Sequence, residues 1–194
     1  MINLLSYNSF INESKIYEHP LFHGSGRKFD IFDFNRLGQD GHLLSFLGIH
    51  FTENDTVAER FTNPPDYIIY EIELKYNKFL KIKEGNLVKE MLKFGLEKKI
   101  IDLSIFPSKN IFDLPYFGTK NCLMNQLFNL TDGKAKEISL EYKNHLMNQG
   151  YDCIKYINEI ESPDIKRFDW IIFKSEQIKV LKVWDLKPRL EIKW

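Results

Sequence analysis

His23 in "PLFHGSGRKF", His50 in "GIHFTEN" and Asp169 in "FDWIIF" are side chains whose chemistry contrasts with their apolar neighbours. An imidazole donates and accepts hydrogen bonds at once and titrates near neutrality. His23 ends an apolar stretch, and Gly24, Ser25 and Gly26 follow it, so backbone amides there are open to a ligand. Asp169 opens an apolar strand, where a carboxylate needs a partner or solvent. Taken singly, the histidines read as satisfied core or edge residues and Asp169 as a turn cap. Taken together, the two imidazoles suit the acid–base cleavage of RNA.

These groups must be positioned by a chain of 194 residues, a length that suits one domain with a sizeable core. With 43% hydrophobic and 28% charged residues, the composition is that of a globular protein rather than a disordered one. Lys+Arg and Asp+Glu are equal at 27 each, so no global field draws the chain to nucleic acid or to an anionic membrane. Cys122 and Cys153 lack metal-ligand spacing and point to no metal and to a reduced, cytoplasmic setting. No apolar run reaches the roughly 18 residues of a membrane-spanning helix, so the expectation is a soluble chain with no membrane partner. Residues 1–18 read as a leader or short amphipathic helix, and "LLSYNSFINE" resembles leaders of tailed-phage proteins.

Strands are expected at "GIHFTEN", at "DYIIYEIELKY" with Ile68, Tyr70, Ile72 and Leu74 on one face, and at "YDCIKYINE" and "DWIIFKSEQIKVLKVWDL". "FLKIKE" should turn back onto the second of these at Tyr76-Asn77-Lys78. Asn54 or Asp55 should cap a helix over "DTVAERF". Helical spacing runs from Asn86 to about Phe106, with Gly95 as a blemish, and again over 134–150 with Gly150 as the terminal cap. The fold class is α+β with a mostly antiparallel sheet, and a helical insertion occupies about 85–150 of a domain spanning 19–194.

In their order, "LFHGS", "GIHFTENDTVAERF", "GYDCIKY" and "FDWIIFKSEQIKV" resemble the motifs of the ADP-ribosyltransferase superfamily, in its His-Tyr-Glu branch, over residues 20–76 and 146–184. The resemblance implies split antiparallel sheets with NAD, as substrate, in the cleft between them. It implies that His23 holds a ribose hydroxyl, that the Gly24 backbone grips the nicotinamide carboxamide, that Ser25 lines the same pocket and that His50 stacks on the nicotinamide ring. Phe51 is matched within the motif and reads as core. Ala58 faces the cleft, Asp169 is the acid and Glu176 the reserve acid. The family's mobile loop falls at 35–47, where Gly38 and Gly41 give freedom and Arg36 or His42 meets the pyrophosphate.

His50 stands where the family has Tyr, and Asp169 where it has Glu. Rifampicin-modifying members look similar in using Asp, and the RNA 2′-phosphotransferases in using His. A charged imidazolium would repel the cationic nicotinamide, so the site should prefer neutral His50. The implied activity is mono-ADP-ribosylation of a protein, a nucleic acid or a small molecule, by a toxin or phage effector acting in host cytoplasm. The alternatives are a catalytically silent relative and an RNA-directed enzyme using His23 and His50.

Overall fold

The computed structural model describes residues 14–38, 42–108, 110–158 and 168–186, so most of the expected leader lies outside the described residues. Among the described residues eight strands form a curled, split sheet: β1 (Lys15–Ile16), β2 (Leu21–Ser25), β3 (Ile49–Thr52), β4 (Ile68–Tyr76), β5 (Phe79–Lys83), β6 (Cys153–Ile157), β7 (Phe168–Ile172) and β8 (Ile178–Asp185). Their order is β1-β4-β2-β3-β7-β6-β5, with β8 paired to β4. Among the same residues four α-helices accompany them: α1 (Asp55–Glu59), α2 (Glu84–Glu97), α3 (Leu123–Leu127) and α4 (Asp132–Asn148). The class is α+β.

Alternation along the strands divides the core in two. Ile68, Tyr70, Ile72 and Leu74 of β4 are buried as their spacing predicts, and they pack with Leu21, Phe51, Trp170 and Ile172 inside the curl. The opposite face presents Ile154, Tyr156 and Ile171 to the helical layer. There α2 buries Leu87, Val88, Met91 and Leu92 completely, each contributing about 1.5–3 kcal/mol by the usual burial scale. Gly95 is more than a blemish. A side chain there would meet Ile138 of α4 at 3.0 Å, so the glycine allows the two helices to approach.

Two expectations about local structure change. The helix expected to reach Phe106 stops at Glu97, because Lys99 enters the left-handed region (φ 58°) and the Ile100 N–H turns back to the Gly95 carbonyl at 2.9 Å. The segment "FLKIKE" does not fold back on β4. It becomes β5 and pairs in parallel with β6, Phe79 facing Cys153 and Lys83 facing Ile157. The Asp152 carboxylate accepts the backbone N–H groups of Asn77 (2.8 Å) and Lys78 (3.3 Å), and the Asp152 N–H donates to the Lys78 carbonyl (3.0 Å). The turn is thereby tied to the head of β6. Parallel neighbours need a long crossover, and residues 84–152, with α2, α3 and α4, supply it. The span read as an insertion is what makes this strand pair possible.

Asn54 caps α1 as expected, accepting the Val57 N–H at 3.1 Å. Gly150, at φ 84°, follows α4. Both cysteines are free and buried. Among the described residues no helix is long and apolar enough to cross a membrane.

Candidate functional site

The site begins where two neighbouring strands part. β2 and β3 share one register pair, Phe22 with Thr52, and beyond it no ladder joins them. β4 backs the whole of β2, and β7 backs the whole of β3. His23 bridges the gap: its Nδ1 lies 2.8 Å from the His50 carbonyl oxygen. A carbonyl only accepts, so Nδ1 carries the proton and Nε2 is the acceptor of the neutral ring. The imidazole thus takes the place of a missing rung of the ladder. Its ring packs against Phe32 and Phe51, 5.4 and 5.5 Å away between centroids.

Burial holds the His23 imidazole below its ordinary pKa of 6.5, although its bond to His50 opposes the shift. The unfolded chain therefore binds a proton near pH 6.5 that the folded chain still refuses. The stability this group contributes is full above that value and is lost as pH falls from it towards the folded-state pKa. The melting temperature is expected to drop as pH falls below the ordinary imidazole value of about 6.5, and His23→Phe should flatten that part of the profile. A variant profile parallel to wild type would assign the acid sensitivity elsewhere.

His50 lies on the other face of the sheet, in register with Ile171 of β7. Both of its nitrogens are engaged. Nε2 is 3.1 Å from the Leu44 carbonyl, which places the proton there, and Nδ1 accepts the Tyr156 hydroxyl at 3.1 Å. Leu44 belongs to the stretch 43–47, where Leu43, Leu44, Phe46 and Leu47 are buried against the helical layer. That part of the expected mobile loop is core, fixed further by the Ser139 hydroxyl, which donates to the Leu43 carbonyl at 2.7 Å. Gly41 lies outside the described residues.

Asp169 is 6% exposed and stands between Thr52 of β3 and Tyr156 of β6 in the sheet register. Asn158 donates its side-chain amide to the Asp169 carboxylate at 2.6 Å. That bond fixes the carboxylate, which lies on the same face of the sheet as His50, one register row of the alternation away.

A cavity of about 890 Å³ joins these groups, large enough for a cofactor-sized ligand. His23, Gly24, Ser25, Arg36, His42, His50, Phe51, Ala58 and Asp169 all line it. Gly24 is required by the close approach of α1, since a Cβ there would stand 1.9 Å from the Ala58 carbonyl oxygen. The Ser25 hydroxyl is turned towards Arg27, donating to its carbonyl (2.9 Å) and accepting its N–H (3.1 Å). Phe51 is buried core at the cavity wall. Glu176 is outside, exposed on the short turn Ser175–Gln177.

Sequence reasoning missed Asn158, Tyr156 and Glu84, which also line the cavity. Tyr156 and Asn158 continue the alternation from Ile154, and that periodicity was the available signal. Among the described residues no group of three His, Cys, Asp or Glu gathers to hold a metal. Comparison with protein-family models, curated proteins and solved structures finds no match to this chain.

Proposed function

We propose that the chain is an NAD-dependent mono-ADP-ribosyltransferase, of the toxin or phage-effector kind, that breaks the bond between nicotinamide and ribose. The observation that carries this reading is that His23, His50 and Asp169, from three strands, all line one cavity at the opening between β2 and β3, His23 from one face of the sheet and His50 and Asp169 from the other. His23 Nε2 is an acceptor for a ribose hydroxyl, because Nδ1 is committed to the His50 carbonyl. Beyond Phe22 the edge of β2 facing β3 is without a ladder to it, which suits the Gly24 backbone to a carboxamide with one donor and one acceptor edge.

As the C–N bond lengthens, its electron pair passes to the pyridinium nitrogen and positive charge grows on the sugar. The Asp169 carboxylate, held by Asn158, stabilises that charge. The relation to glycoside hydrolysis is direct, since oxocarbenium-like states are there also countered by carboxylates. With both nitrogens engaged in the neutral form, His50 offers a planar surface to the nicotinamide. The same engagement weighs against His23 and His50 as an acid–base pair for RNA, because His50 has no nitrogen left for proton transfer to a substrate.

Incubation with NAD labelled in the nicotinamide ring tests the proposal. Release of labelled nicotinamide is expected. Binding of NAD without release would make the chain a silent relative, and cleavage of RNA in the absence of NAD would establish the RNA-directed alternative.

A further inference from the structure

One carboxylate in the cavity has no part in the steps above. Glu84, the first residue of α2, is 6% exposed and accepts the Tyr116 hydroxyl at 3.0 Å. Its place follows from the parallel pair: Lys83, the last residue of β5, is in register with Ile157, so the chain enters α2 at Glu84 at the end of the strand pair from which Asn158, the residue that holds Asp169, also emerges. Tyr116 comes from the crossover layer, so that layer reaches the cavity through this bond. A buried carboxylate is costly to maintain, and a cavity wall shared with a second carboxylate makes it more so. Such a pair is the arrangement expected where one acid faces developing charge and the other manages a proton.

We propose that Glu84 is the acceptor-side carboxylate, which takes the proton of an O–H or N–H nucleophile. The inference rests on the ADP-ribosyltransferase reading. In the step, a lone pair of the nucleophile forms a bond to the ribose carbon, the C–N electron pair leaves with nicotinamide, and the nucleophile's proton passes to Glu84. Two carboxylates in one cavity repel an acidic acceptor and favour a neutral or cationic one. The acceptor class is therefore an alcohol or an amine-type nitrogen, and not a carboxylate or a phosphate.

The test uses the full chain, NAD and one of two small probes, ethanolamine or propionate, with the ADP-ribosyl adduct and free ADP-ribose quantified in the same sample. Wild type should form the ethanolamine adduct and no propionate adduct. Glu84→Gln should lower the ratio of adduct to ADP-ribose by about a hundredfold, in the range usual for a lost general base. Because both products come from one sample, partial unfolding lowers them together and leaves the ratio alone. Tyr116→Phe keeps the carboxylate but removes its hydroxyl partner, and should lower the ratio to a smaller extent. An unchanged ratio in both variants, or a propionate adduct exceeding that of ethanolamine, overturns the assignment. If wild type releases no nicotinamide, the parent reading falls and takes this one with it. Release with an unchanged ratio removes only the role of Glu84.

Discussion

Asp169→Asn is expected to lower nicotinamide release by about 10² to 10³, the usual cost of removing one electrostatic stabiliser from a transition state. The substitution keeps the shape of the side chain and removes its charge. The Asn158 amide can still donate to the remaining oxygen, so the row formed by Thr52, residue 169 and Tyr156 should persist. NAD affinity, measured by titration calorimetry, should change little, because in the proposed reaction the carboxylate would act on charge that develops after binding. Glu176→Gln should leave the rate alone, since Glu176 is exposed and outside the cavity. Full activity in Asp169→Asn would move the stabilising role to another acid, and Glu84 would be the first to examine.

The second large effect concerns stability. Trp170 is fully buried, in the strand position next to Asp169 and on the opposite face. Its indole N–H donates to Glu53 at 3.1 Å, and its rings meet those of Tyr17 and Phe79, 4.7 and 5.3 Å away. Lys155 lies 4.9 Å above it and forms an ion pair with Glu53 at 2.7 Å. Burial pushes the Glu53 carboxyl up, but bonds from Lys155, Tyr17 and Trp170 outweigh it and hold the group below its usual value. Trp170→Ala removes the largest side chain of this core and one donor to Glu53, at an expected cost of about 3–5 kcal/mol. Urea unfolding would show it as a lower midpoint. Trp170→Phe, which keeps most of the volume, should recover much of the loss, whereas equal losses in both variants would assign the effect to the hydrogen bond rather than to packing.

The parts of this molecule that could be read from sequence are those fixed by near neighbours. The alternation of Ile68, Tyr70, Ile72 and Leu74 follows from strand geometry, and the Asn54 cap depends on residues within one helical turn. His23, His50 and Asp169 stood out because each interrupts an apolar strand. The partner of β5 was not legible, because it depends on Asp152, which lies 75 residues from Asn77 in the chain. For the same reason Asn158 and Glu84 passed unnoticed. A polar residue at the end of a strand or the start of a helix is ordinary, and only the tertiary pairing of β6 with β7 and β5 brings Asn158 to Asp169 and Glu84 to the same cavity. Periodicity also could not tell that His23 and His50 occupy opposite faces and meet through a backbone carbonyl. Residues 43–47 look like a solvated loop by their surroundings, yet their carbonyls serve His50 and Ser139.

The single rung between β2 and β3 gives the molecule a seam. A ligand lodged there would stitch together two half-sheets that the backbone itself barely joins, so its binding and resistance to unfolding would be linked through one event. Closing the seam with further rungs would strengthen the sheet at the expense of the opening that the cavity occupies.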